Sequence, residues 1–188
     1  MRLKDKVAIV TGGGVGIGRA YCLGLAKEGA KVVVADIQEA EAKKVAGEIE
    51  RDGGEAFAVA VDVTSIDKTR AMAEAVLRKY GRIDVLVNNA ALYSAIKKKP
   101  FSEIGEEEWD KVMAVNVKGL FLCVQAVYPA MKSQKKGKII NISSGTALGG
   151  TPSVRAINAQ TASFALPFSG AARTFTLRAV PCQPDTAS

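Results

Sequence analysis

The sequence predicts an α/β protein built on a doubly wound parallel sheet, and three observations carry that prediction. A glycine-rich turn, Thr11-Gly12-Gly13-Gly14-Val15-Gly16-Ile17-Gly18, follows an apolar run and opens an amphipathic segment that closes at Gly29. From residue 5 to 150, short apolar runs alternate with helical patterns, with little slack between them. The runs have no polar face, as strands buried between two helix layers require. Repeated strand–helix–strand units of this kind give a parallel sheet.

Val7–Val10 is the first strand and residues 16–28 the first helix. Lys31–Ala35 is the second strand, ending at Asp36, and a helix over 38–51 stops at Gly53-Gly54. Ala56–Val61 is the third strand; a helix over 65–80 starts after Thr64 and Ser65 as caps and ends at Gly81. Val85–Val87 is the fourth strand, leaving through Asn88-Asn89-Ala90-Ala91. A long helix over 106–132 begins with Glu106-Glu107-Glu108, acids that suit the positive end of its dipole. Lys138–Ile142 is the fifth strand. Beyond 150 no period of 2.0 or 3.6 persists, and only a short strand or helix near 173–180 is expected.

A chain of 188 residues with 48% apolar residues suits one well-buried domain. No run approaches the roughly 20 apolar residues of a bilayer span, and the first residues show no secretory layout. Cys22, Cys123 and Cys182 are isolated; the first two lie in helical apolar patterns, so buried reduced thiols and a cytoplasmic setting are expected. The sequence contains no histidine, which excludes Ser-His-Asp and Cys-His chemistry and argues against a zinc site. The net charge of +7 is spread along helix faces, apart from Lys97-Lys98-Lys99 and Lys135-Lys136-Gly137-Lys138 at loops. Solvated charge explains both clusters, so no nucleic-acid or membrane partner is expected.

Ligands of such sheets bind beyond the carboxyl ends of the strands. Gly12–Gly18, Asp36, Asp62, Asn88, Asn89, Ser143 and Ser144 all fall at that edge. Free amides at a helix N-terminus, reached over glycines, suit a pyrophosphate. Asp36 is placed to accept hydrogen bonds from an adenosine ribose and to repel a 2′-phosphate, favouring NAD(H) over NADP(H). It equally suits the cap of the helix that follows. Asp62 and Val63 follow the third strand, where a carboxylate and an amide can meet an adenine edge.

With these motifs in place, the chain resembles the short-chain dehydrogenase/reductase family over residues 5–152, in particular its bacterial ketoacyl reductase and secondary-alcohol dehydrogenase members. The resemblance rests on Thr11–Gly18, Asp62-Val63, Asn88-Asn89-Ala90, Asn116 within Val115–Gly119, and Asn141-Ile142-Ser143-Ser144. Ala91 departs from the glycine that usually closes the Asn-Asn-Ala motif. The resemblance implies a Rossmann-like dinucleotide-binding domain over 1–152, with Thr11, Gly12, Gly14, Gly16, Ile17 and Gly18 at the pyrophosphate. It implies Asp36 at the ribose, Asp62 and Val63 at the adenine, and Asn89 on the nicotinamide side. Ser144, rather than Ser143, would bind the substrate oxygen, and Asn116 would kink its helix and hold a relay water. The implied activity is hydride exchange between NAD and a small alcohol or ketone, in a homo-oligomer.

The family also uses a tyrosine as general acid/base and a lysine four residues later that lowers its pKa. Counted from Ser144, those positions fall on Ile157 and Thr161, and no tyrosine or lysine follows residue 138. Tyr93/Lys97 and Tyr128/Lys132 share the spacing. Tyr93 lies near the site, where it could reach a substrate as a substitute acid, and Tyr128 at the far end of the long helix; ordinary packing is the alternative for both. Lysines vanish and prolines gather where the resemblance ends, so residues 153–188 read as an atypical tail, an out-of-frame or alternative ending on a C-terminally incomplete domain. Three functions follow: an oxidoreductase by family, a silent dinucleotide-binding fragment, or a module pairing with a full-length relative. Without the family's covering helix, Val112, Val115, Leu120 and Val124 are expected to be exposed and to drive association.

Overall fold

Val7–Thr11 forms β1, buried along its whole length, and Gly16–Lys27 forms α1. Lys31–Asp36 is β2, Glu39–Arg51 α2, Glu55–Ala60 β3, Ile66–Tyr80 α3 and Val85–Asn88 β4. After a 3-10 turn at Phe101–Glu103 come α4 (Glu106–Met113), a π-helical segment (Ala114–Gly119) and α5 (Leu120–Ser133). Gly137–Ser144 is β5 and Ala172–Ala179 is β6. This computed structural model describes residues 1–92, 101–144 and 172–179.

The strands pair in the order β3-β2-β1-β4-β5-β6, each pair parallel. Alternation along the strands feeds two cores. Val7, Ile9, Val33, Leu86 and Ile139 face α3 and α5 through Met72, Val76, Cys123, Val127 and Met131. Ala8, Val10, Val32, Val34, Val85 and Val87 face α1 and α2 through Cys22, Ala42, Val45 and Ile49. A sheet sealed on both faces has strands that read as continuous apolar runs, which is how the sequence reads.

Local signals set the helix ends. The Ser65 side chain accepts the Lys68 amide at the start of α3, and Gly81 closes it in the left-handed conformation at φ 71°. The acids Glu106, Glu107 and Glu108 occupy the first turn of α4. β3 starts and ends one residue earlier than expected, β5 is longer at both ends, and the element near 173–180 is a strand that adds to β5.

The exposure expected for the long helix is corrected. Val112, Leu120 and Val124 are buried, and Val115 packs against the same core. Leu120, Val124 and Val115 share their core with Met72, Ala73 and Val76 of α3, and α3 and α5 are in direct contact. Trp109 and Phe121 are the exposed large apolar residues on this helix, at 45% and 41%. The continuous helix Glu106–Ser133 has a window of mean hydropathy 1.4, long and apolar enough to cross a membrane. Here its apolar stripe lies in the core beside β1, β4 and β5.

Candidate functional site

Thr11 joins the turn after β1 to the turn after β4. Its side chain is buried, and Oγ1 accepts the amides of Asn89 and Ala90 at 3.1 Å each while donating to the Val87 carbonyl at 3.3 Å. Asn89 returns the contact: its Nδ2 donates to the carbonyls of Thr11 and Gly12 at 3.0 and 3.1 Å. A Cβ at Gly18 would overlap the Gly12 carbonyl oxygen and crowd Asn89 Nδ2, so only glycine lets α1 start this close to the two turns. Gly12 and Gly16 adopt left-handed φ of 63° and 54°.

The N-terminus of α1 is left open. Val15 sits at its cap position with no side-chain cap, and no acid lies in the first turn, in contrast to the Ser65 cap of α3. The first amides of α1 therefore point their unsatisfied donors and partial positive charge past the sheet edge. Val15 and Ile17 stand 50% and 60% exposed beside them.

Asp36 ends β2 with 5% exposure, and both of its oxygens accept backbone amides: Oδ2 from Gly14 and Oδ1 from Gln38, each at 2.9 Å. The cap of α2 is Gln38, so Asp36 holds the turn that leads to the helix without itself being the cap. Beneath the glycine turn, the buried Cys22 thiol donates to the Gly13 carbonyl at 3.8 Å. Burial first, and the Asp36 charge second, push it up to about 12. Burial pushes Cys123 to about 12 as well. Both stay neutral thiols, as expected.

Asp62 Oδ1 accepts the Thr64 amide and hydroxyl at 2.9 and 2.7 Å, and these bonds, the hydroxyl's above all, hold its carboxyl below the usual range. The Val63 side chain is core, packed so closely on Gly119 that a Cβ there would lie 2.7 Å from it. Asn116 sits within the π segment at 6% exposure. Its Oδ1 accepts the Leu92 amide at 2.7 Å and its Nδ2 donates to the Leu92 carbonyl at 3.5 Å. A π turn inserts one residue into the helix at this point. Ser144 ends β5, in register with Ala179.

Thr11, Gly12, Gly18 and Asn89 thus form one contact set, and Gly14 with Asp36 a second. Asn116 is tied to the segment leaving Asn89. Tyr128 lies on α5 near Gln134, whose amide bonds Ile83 at 3.0 and 2.8 Å, at the edge of the sheet opposite the glycine turn. That placement removes the Tyr128/Lys132 pair from the site. Tyr93, Lys97, Ile157 and Thr161 lie outside the described residues.

The description of the short chain dehydrogenase family matches residues 6–160. The chain belongs to that family. It is 37% identical over 175 residues to a cyclopentanol dehydrogenase of Comamonas testosteroni, covering 93% of this chain and 66% of that one. It is 40% identical over 152 residues to a 3-oxoacyl-(acyl-carrier-protein) reductase of Thermotoga maritima, covering 81% of this chain and 61% of the relative. A crystal structure of a Brucella melitensis 3-ketoacyl-(acyl-carrier-protein) reductase complexed with NADH superposes with a TM-score of 0.79 at 36% identity, over 85% of this chain and 66% of that one. The chain spans less than two thirds of the length of these relatives.

In this member of the family, the sequence marked Asn88 and Asn141 without showing that they pair, and gave no sign of Leu92. Asn88 and Asn141 face each other across β4 and β5, Asn88 Nδ2 donating to Asn141 Oδ1 at 3.0 Å with both residues buried. The signal was present: each is a polar residue ending an otherwise apolar strand. Leu92, the partner of Asn116, carried no signal, because its backbone rather than its side chain makes the contact.

Proposed function

We propose that this chain binds NAD(H) across the carboxyl edge of β1, β2 and β4, on the scaffold of an oxidoreductase of secondary alcohols and ketones. One observation carries the reading: an uncapped α1 N-terminus, reached over Gly18, stands beside a buried Asp36 at the strand ends. Gly12, Gly14, Gly16, Ile17 and Gly18 would take the pyrophosphate, Asp36 the ribose, Asp62 and Val63 the adenine, and Asn89 the nicotinamide side, with Thr11 locking the turns. The residues present fit such a group, since an anion meets donors without a competing acid in the first turn of α1. Bound there, the dinucleotide supplies the hydride chemistry. The NADH complex of the Brucella reductase supports a nicotinamide dinucleotide, and Asp36 supports NAD over NADP.

Ser144 would orient a substrate oxygen and Asn116 a relay water. Ile157 has no proton to give and Thr161 no charge to lower a neighbour's pKa, so dinucleotide binding is proposed without turnover at the rate of the relatives. A second copy of the chain is the proposed partner of the outer face of α4 and α5, where Trp109 and Phe121 stand exposed. NADH fluorescence titration tests binding, and NAD+ reduction with cyclopentanol tests turnover. Saturable binding without turnover is expected. Turnover far above background would overturn the loss of the relay, and absence of binding would overturn the site.

A further inference from the structure

Gly14 is not demanded by its backbone conformation, since only Gly12 and Gly16 of this turn have positive φ. It is demanded by space: a Cβ at position 14 would lie 2.9 Å from Glu41 Cβ, 3.0 Å from Asp36 Oδ2 and 3.2 Å from the Ala42 amide nitrogen. The first turn of α2 is therefore seated directly on the phosphate-binding turn, and Glu41 is brought against the Gly14–Asp36 hydrogen bond. The Asp36 carboxylate and the base of the Glu41 side chain flank the turn where a typical side chain at position 14 would hold α2 away.

Among the described residues, three cations near this seam are held by acids. Glu41 Oε1 holds Lys44 Nζ at 2.6 Å, Glu39 Oε1 holds Lys43 Nζ at 2.6 Å, and Glu48 on α2 takes Arg19 of α1 in two hydrogen bonds. A 2′-phosphate at the end of β2 carries nearly two negative charges and needs an available cation. Among the described residues, the first turns of α1 and α2 offer it only cations already engaged by carboxylates.

We propose that Glu41 is a specificity-determining residue for the dinucleotide, acting with Asp36 to exclude a 2′-phosphate, both as a second negative charge and as the group that occupies Lys44. Gly14 is the positioning residue that lets it do so. This rests on the NAD(H) reading above, and goes beyond it by moving part of the discrimination from the strand end to α2.

The test measures dissociation constants for NADH and NADPH by fluorescence titration of the wild-type chain, Glu41→Gln, Asp36→Asn and Glu41→Gln/Lys44→Gln. Glu41→Gln removes one unit charge near the turn and releases another of opposite sign, so NADPH should bind about three- to ten-fold tighter. NADH affinity should change less than about two-fold. The double variant should lose most of the NADPH gain, because the released lysine is gone. An unchanged NADPH constant in Glu41→Gln, alongside a gain in Asp36→Asn, overturns the role of Glu41 and leaves the NAD(H) reading standing. Wild-type protein that binds NADPH more tightly than NADH, or binds neither, overturns both.

Discussion

Thr11→Val is the sharpest probe of how the two turns at the strand ends are joined. Valine keeps the β-branched shape in a position that is 1% exposed, so packing changes little. What disappears is the acceptor for the amides of Asn89 and Ala90, each at 3.1 Å, and the donor to the Val87 carbonyl at 3.3 Å. A buried amide left without an acceptor costs about 1–3 kcal/mol. Asn89 and Ala90 are half-buried, so water recovers part of the loss for each. The net is about 2 kcal/mol, or about 4–8 °C in Tm for a chain of this size. Because the freed segment carries Asn89, whose side chain bonds Gly12, the loosening reaches the ligand-facing turn. NADH should bind about ten-fold more weakly if ~1.4 kcal/mol of the loss is felt there. Urea unfolding followed by circular dichroism gives the first quantity and fluorescence titration the second. Thr11→Ser, which restores the hydroxyl, should recover most of both. A Thr11→Val protein within about 0.5 kcal/mol of wild type, with unchanged NADH affinity, refutes the reasoning.

Asp84 is 5% exposed and accepts hydrogen bonds from the Val7 amide at 3.0 Å and from Arg82 Nε and Nη2 at 2.7 and 2.6 Å. Burial alone would raise its pKa, but the bonds from Arg82 and Val7 and the charges of Arg82 and Lys6 hold it below the usual range. Its contribution is therefore complete above about pH 4 and is lost as pH falls through the lowered value. Asp84→Asn should cost about 2 kcal/mol at pH 7 and progressively less toward pH 2, read from melting curves across pH. A loss that is equal at both ends would contradict this assignment. Tyr80→Phe removes a buried hydroxyl that has no partner among the described residues and whose pKa burial, with Glu55 and Glu50, pushes up to about 12. Its ring keeps the edge contact with Phe57, so Tm should hold or rise, and a drop worth more than about 1 kcal/mol would reveal an unrecognised bond. Trp109→Ser/Phe121→Ser should shift the chain toward monomer in light scattering without lowering Tm, whereas an unchanged mass would place any association elsewhere.

Much of this was legible because local chemistry decides it. Glycine after β1, Ser65 before α3 and Gly81 after it need only their neighbours to act, and the apolar runs need only a sheet covered on both faces. The long helix was legible in extent but not in phase. Between Met113 and Leu120 the chain passes through a π segment with no proline to announce it, so a single helical wheel over 106–132 misplaces the turns after it. Leu120 and Val124 are covered by α3, across a sequence gap that no periodicity spans. Asp84 and Gln134 were invisible for the same reason: their partners come from β1 and from the loop before β4, and neither residue type is unusual where it stands.

Asp36 shows why a correct position can still leave the role half described. Read from the sequence, it faces outward to a ribose or caps a helix. In the structure it is tied inward first, holding Gly14 and Gln38 through both oxygens. Each oxygen has a second lone pair, so a ribose hydroxyl can still be accepted by a carboxylate whose orientation the protein has fixed in advance. That orientation depends on Gly14 standing against α2, and so on a residue whose side chain is absent. Enlarging position 14 should therefore weaken NADH binding through Asp36 before it touches the pyrophosphate at all, and Gly14→Ala should lose affinity for adenosine as well as for NADH. A Gly14→Ala chain that binds adenosine as wild type does, yet loses NADH, would confine position 14 to its pyrophosphate role and refute its hold on Asp36.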